Sequence, residues 1–230
     1  DLSGLADVQL TVARALNDEG MLVLNADDAV LMQKASRFKC LQAYFSLRHD
    51  TQHIAELKKL GGTVCELIDS HLYLDKNDLG AIADMPLSMN GSAQYNVANL
   101  AAAACIAHGL GVGLVAIKAT MKRFGSLNSD NPGRLQRWKA GDVSVLIDYA
   151  HNPEGLHGFL SIVQSQQAVG RLALLLGQAG NREDGDIREL AKVAASFHPD
   201  FIVLKDIDGF IRGREPGEVA TILKAALIEN

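Results

Sequence analysis

Ile147-Asp148-Tyr149-Ala150-His151-Asn152-Pro153 is the stretch on which the reading of this chain turns. Val143 to Ile147 has the composition of a short strand, and Pro153, with its fixed φ, suits the first turn of a helix that Leu156, Leu160 and Val163 continue. Between strand and helix, the turn delivers Asp148 to the carboxyl edge of a sheet, where open α/β folds bind their ligands. A carboxylate there can accept from ribose hydroxyls, and an imidazole such as His151 beside a helix N-terminus can meet phosphate. The same side chains could instead cap the turn and stay solvated, an ordinary fate for polar groups at such a place.

The order of elements around this turn is α/β. Downstream, Leu172 to Leu176 and Phe201 to Leu204 read as strands, and Ile187 to Ala195 and Glu218 to Leu227 as helices, the alternation of a parallel sheet. Upstream, Leu135 to Trp138 and Val143 to Ile147 form a strand pair turned at Ala140-Gly141-Asp142. Gly125-Ser-Leu-Asn-Ser-Asp-Asn-Pro-Gly133 is the best linker in the chain, which predicts two domains, 1–130 and 131–230. In the first, Leu5, Val8, Val12 and Leu16 predict a helix stopped at Asn17 to Gly20, and Met21 to Leu24 a strand. Asp27 and Asp28 are placed to cap a helix through Val30, Leu31 and Ala35. Leu41 to Leu47, Thr63 to Ile68 and Leu72 to Leu74 read as strands, Thr51 to Leu60 as a helix and Met85 to Ser92 as a loop. An Ala-rich helix from about Tyr95 and a second from Leu114 to Phe124 close the unit.

Composition removes several classes of function. The 230 residues are 48% hydrophobic with five prolines, which excludes a disordered or collagenous chain. A formal charge of -5 without a basic run argues against nucleic acid as partner. Cys40, Cys65 and Cys105 lie far apart, giving neither a disulfide framework nor a zinc knuckle, so a reducing, cytoplasmic location is expected. Val97 to Ile117 is nearly uncharged, but its Ala and Gly content and Gly109, Gly111 and Gly113 fit two buried helices around a turn, not a membrane span. Those glycines follow a helix, so they are no dinucleotide fingerprint either. No Gly-Lys-Ser or Gly-Lys-Thr occurs in the sequence, so a phosphate loop of the usual ATPase kind is lacking. The opening Asp-Leu-Ser-Gly resembles no signal peptide and has no initiating Met, and the last helix runs to Asn230; truncation at both ends is the expectation.

Three motifs then occur in one order: Tyr95-Asn96-Val-Ala-Asn99, Asn131-Pro-Gly133-Arg134, and the Asp148 to Pro153 turn. Together they resemble the Mur ligase family, in which an Asn-x-x-Asn helix precedes a Gly-Arg that opens the C-terminal domain. Leu5-Ala6-Asp7-Val8 and Val23 to Asp28 are similar to the family's central ATPase domain after its phosphate loop. Gly177-Gln-Ala-Gly180-Asn181-Arg182-Glu-Asp, Asp186-Ile-Arg-Glu-Leu190 and Arg212-Gly-Arg214 look most like the cyanophycin synthetase branch. The resemblance implies part of a central ATP-binding domain (1–130) followed by a Rossmann-like C-terminal ligase domain (131–230). It implies ATP and Mg as cofactors, formation of an acyl phosphate, and addition of arginine to an aspartate-polymer acceptor. A homo-oligomer stays open.

Residue by residue, the resemblance puts Asn96 and Asn99 near the adenine, and Arg134, Asp148 and His151 at the ribose and phosphates. It gives Asn181 and Arg182 to the nucleotide or the incoming amino acid, and Arg212 and Arg214 to a carboxylate. Solvated loop polarity, helix packing or surface charge would account for each of these one by one. Gln9 stands where the resemblance implies a Lys that is carbamylated in many members, and glutamine cannot supply that negative charge. A catalytically silent Mur-like scaffold or oligomerisation module therefore stays open, as does another Mur ligase of peptidoglycan or folate type. A Rossmann dehydrogenase is disfavoured by the missing glycine fingerprint.

Overall fold

The computed structural model describes residues 2–17, 19–48, 52–166 and 170–230. Asp1, Asp18 and Thr51, which figured in the expectations above, lie outside them. The chain divides into two compact units, 1–130 and 131–230.

The first unit is a three-layer α/β structure. β1 (Met21–Asn25), β2 (Leu41–Ser46) and β3 (Thr63–Ile68) run parallel; β4 (His71–Leu74) and β5 (Asn77–Ala81) then extend the sheet antiparallel, in the order β1-β2-β3-β4-β5. One face carries α4 (Gln94–Gly109) and α5 (Leu114–Arg123), with a core that includes Leu72, Met85, Val97, Ala101 and Cys105. The buried alanines of α4 let its backbone lie close to the strands. On the other face α1 (Leu2–Gln9), α2 (Ala29–Ala35) and α3 (Gln52–Lys59) surround a core of Leu10, Leu22, Leu24, Met32, Ile54 and Val64.

Two expectations need correction here. The first helix becomes a short α1 that tightens into a 3₁₀ turn over Leu10–Ala15, and it buries the face opposite to the one expected. Leu5, Val8 and Val12 are 53%, 70% and 59% exposed, while Ala6, Leu10 and Ala13 are buried. Small alanines permit the closer approach, and Asp7 ties the helix through ion pairs to Lys34 and to Arg37 at 2.9 Å. The strand β5 went unforeseen because its sequence, Asn-Asp-Leu-Gly-Ala, offers only Leu79 to the core. Asp28 caps α2 as expected, its Oδ1 accepting from Leu31 N at 2.9 Å.

The second unit holds a β6 (Gln136–Ala140) and β7 (Val143–Ile147) antiparallel hairpin and a parallel pair, β8 (Ala173–Leu176) with β9 (Phe201–Leu204). Among the described residues, parallel pairing in this unit is confined to β8 and β9, while β7 pairs antiparallel with β6. Packed with them are α6 (Pro153–Ser165), α7 (Asp184–Ser196) and α8 (Glu218–Glu229), burying Leu156, Leu160, Ile162, Ile187, Leu190 and Leu223. No described helix is long and apolar enough to cross a membrane.

Candidate functional site

The site of the second unit lies where β7, β8 and β9 end. A cavity of about 300 Å³ is walled by Asp148 to His151 after β7, by Gly177 to Ala179, Asn181 and Arg182 after β8, and by Ile207, Phe210 and Arg212 after β9. Leu156, Phe159 and Leu174 to Leu176 form its apolar floor. Carboxyl ends of strands converge here because each strand hands over to a loop on the same side of the unit.

Asp148 organises the first wall. Its Oδ2 accepts from the backbone N–H of Leu135 at 3.0 Å, and its Oδ1 from that of Ala150 at 2.9 Å. The carboxylate therefore closes its own turn and holds the segment that carries Arg134. Leu135 has a left-handed backbone, φ 46°, unusual for a bulky residue, and its burial together with the Asp148 bond keeps it there. The Arg134 guanidinium lies 4.9 Å from the centre of the Tyr149 ring, and the His151 ring 5.3 Å from the same ring. Tyr149, 57% exposed, thus meets both the Arg134 guanidinium and, at a tilt of 47°, the His151 ring. Asn152 caps α6, its Oδ1 accepting from Gly155 N at 2.7 Å, with Pro153 opening the helix.

The second wall is bound to the first by Gln178. This side chain is only 4% exposed, and its Nε2 donates to the His151 carbonyl at 2.9 Å while its Oε1 accepts from Ala179 N at 3.1 Å. Gly177 and Gly180 allow the loop to run against the third wall: a Cβ on Gly180 would stand 1.9 Å from the Ile211 carbonyl oxygen, and one on Gly177 2.8 Å from that of Lys205. The Gly180 amide donates to Phe210 O at 2.9 Å. In the third wall Arg212 has φ 49° and stacks its guanidinium 4.9 Å from the Phe210 ring.

Of the residues singled out in the sequence, Asp148, His151, Asn181, Arg182 and Arg212 meet at this cavity, with Arg134 stacked on its lining residue Tyr149. Arg214 does not line it; its guanidinium donates to the Gly180 and Arg182 carbonyls and to Asp184 and Glu218. Those two carboxylates hold Arg214 further above its already high pKa, Asp184 foremost. Asn96 and Asn99 lie in the first unit, on α4. Asn96 is buried, donating Nδ2 to Leu87 O at 3.0 Å, and its Oδ1 accepts from Asn99 at 3.4 Å. Gln9 is exposed at the end of α1. Sequence reasoning missed Tyr149 and Gln178. The first sits inside the quoted turn, and the second's place between Gly177 and the polar loop was the only signal of it.

The donor set fits a phosphorylated, hydroxyl-bearing ligand: cationic and N–H groups of His151, Asn181, Arg182 and Arg212, with the Asp148 carboxylate as acceptor. It does not fit a metal ion, because no group of three or more His, Cys, Asp or Glu able to hold one occurs among the described residues.

Comparison with known proteins gives a consistent picture. Residues 133–227 match the family model for the Mur ligase, glutamate ligase domain. A cyanophycin synthetase of Geminocystis herdmanii is 31% identical over 231 residues, covering 98% of this chain and 26% of that protein. The chain thus spans about a quarter of the length of the curated relatives it matches over nearly its full extent. Among solved structures, MurF from Acinetobacter baumannii superposes with a TM-score of 0.63 at 17% identity, over 98% of this chain and 45% of that one. Folylpolyglutamate synthase of Mycobacterium tuberculosis, complexed with ADP, gives 0.63 at 16% identity, over 99% of this chain and 47% of that one.

Proposed function

We propose, from the match of residues 133–227 to the Mur ligase, glutamate ligase domain, that this chain belongs to the Mur ligase family and is part of an ATP-dependent amide ligase of cyanophycin synthetase type. In this reading residues 1–130 are the later part of the central ATP-binding domain, without its phosphate loop, and residues 131–230 the C-terminal domain. The observation that carries it is the meeting of Asp148, His151, Asn181, Arg182 and Arg212 at one cavity beyond the strand ends, beside the Arg134–Tyr149 stack.

The reaction proposed has two steps. A carboxylate oxygen of the aspartate-polymer acceptor attacks the γ-phosphorus of ATP, the bond to the β–γ bridging oxygen breaks, and ADP leaves. The amine of arginine then attacks the acyl carbon, phosphate departs and the nitrogen loses a proton. In this reading Asp148 and His151 bind the nucleotide, and the chemistry is run by positioning and charge. Arg134 and His151 meet the phosphates, Asp148 accepts from ribose hydroxyls, and Asn181, Arg182 and Arg212 orient the amino acid and its carboxylate. Asn96 and Asn99 are the amides offered to adenine, and each already donates within its own unit, Asn96 to Leu87 O and Asn99 to Asn96 Oδ1. Among the described residues no cluster of His, Cys, Asp or Glu stands ready to hold the magnesium that the family implies.

Calorimetric titration of ADP into the 230-residue chain tests this reading. Binding is expected, weakened about tenfold or more in Arg134→Ala and Asp148→Ala, since each loses a charge-assisted contact. Affinity unchanged in both variants, or no ADP binding by the parent chain, would remove the nucleotide from this cavity. Without a phosphate loop the chain by itself is expected not to turn over ATP. A silent scaffold is the second reading, favoured by Gln9, which offers an exposed amide where a carbamylated lysine is implied.

A further inference from the structure

Arg214 does something in this fold that its motif does not announce. Its side chain is only 16% exposed, and four of its five N–H groups are engaged within the protein. Nε donates to Gly180 O at 2.9 Å. One terminal nitrogen donates to Arg182 O at 2.8 Å and to Asp184 Oδ1 at 2.7 Å, the other to Glu218 Oε1 at 2.7 Å. The two carbonyls it grips flank Asn181. The whole loop from Gly180 to Asp184 is therefore fastened to the start of α8, and Glu218 is itself fixed by accepting from Glu215 N at 3.0 Å. Asn181 and Arg182, the two residues so bracketed, are the ones that line the cavity.

We propose that Arg214 is a positioning residue, a planar staple that presents Asn181 and Arg182 to the cavity, and that it does not meet the ligand itself. A guanidinium is suited to this because its donors are spread in one rigid plane and stay charged. Lysine keeps the charge but gathers its three donors on one nitrogen, so it cannot reach both carbonyls and both carboxylates together. The proposal rests on reading the cavity as the ligand site, and the loop itself can be followed without any ligand.

Two variants of the full chain, Arg214→Lys and Arg214→Gln, are compared with Arg182→Ala. Amide hydrogen exchange is read at Gly180 and Arg182 against the β8 amides, and L-arginine affinity is read by calorimetry. Both Arg214 variants are expected to speed exchange at Gly180 and Arg182 about tenfold or more relative to β8, and to weaken L-arginine about as much. Arg182→Ala is expected to weaken L-arginine with the exchange at Gly180 unmoved. Wild-type exchange and affinity in Arg214→Lys would overturn the staple. So would lost affinity with the loop's exchange unchanged, which would make Arg214 a direct contact. If Arg214→Gln fails to fold, the Lys variant decides the matter. If the parent chain takes up no L-arginine, the arginine assignment of the cavity fails, and the exchange result alone decides the staple.

Discussion

At the scale of single residues, the site depends on atoms that are absent as much as on those present. Gly180 has no room for a side chain, because the nearest atom to its notional Cβ is the Ile211 carbonyl oxygen at 1.9 Å. Gly185, five residues on in the first turn of α7, would meet nothing within 4 Å. Gly180→Ala is therefore expected to lower stability by about 1–3 kcal/mol, the usual range for overpacking, and Gly185→Ala to be neutral or to stabilise by up to about 1 kcal/mol. Urea denaturation of the two variants side by side checks the contrast. Asp148 and His151 were legible in the sequence because strand-turn-helix punctuation fixes where a side chain emerges. Gln178 was not, because the burial of an amide is decided by a partner 27 residues away, the His151 carbonyl. The stacking of Arg134 on Tyr149 was hidden for the same reason.

At the scale of elements, caps and turns were readable and packing faces were not. Asn152 and Pro153 announce α6, and the structure supplies the bond from Gly155 N that the pattern calls for. Asn152→Ala is expected to cost about 1 kcal/mol in thermal or chemical denaturation, and Asn152→Asp to be tolerated, since a carboxylate accepts the same bond and favours a helix N-terminus. On α1 the apolar residues at helical spacing pointed to one face and the alanines to another. The alanine face won because it comes closer to its neighbours, and residue periodicity carries no information about distance. The short strand β5 illustrates the other limit: with one core residue it pairs because β4 is beside it.

At the scale of the whole molecule, several carboxylates tie elements together and do so as anions. Asp7 is held below the usual carboxylate range by Lys34 and Arg37, and Asp78 by His71 and the Gly80 amide. Asp130 is held low by the Leu127 and Gly125 amides, and Glu218 by the Glu215 amide and Arg214. Groups with depressed folded values bind fewer protons when folded, so the stability they lend is present above their ordinary values, 3.8 for Asp and 4.5 for Glu, and is lost as pH falls through the folded ones. These carboxylates are expected to lower the melting temperature below about pH 4, and Asp130→Asn to make that part of the decline shallower. Melting curves from pH 7 down to about 2.5 read this directly. Because Glu218 fixes Arg214, the loop of Asn181 and Arg182 is expected to loosen with it.

The α/β order of the elements and the motifs of the second unit were legible because turns and strand ends have local signatures. Which polar groups line the cavity and which brace it depends on side chains meeting across three loops. Ligase chemistry is tested with the full reading frame that encodes this chain, supplied with ATP, an aspartate-polymer primer and labelled L-arginine. Phosphate release coupled to arginine incorporation, both depressed by Arg134→Ala and Asp148→Ala, is the expected result. Release without incorporation, or incorporation that ignores both substitutions, would contradict the account.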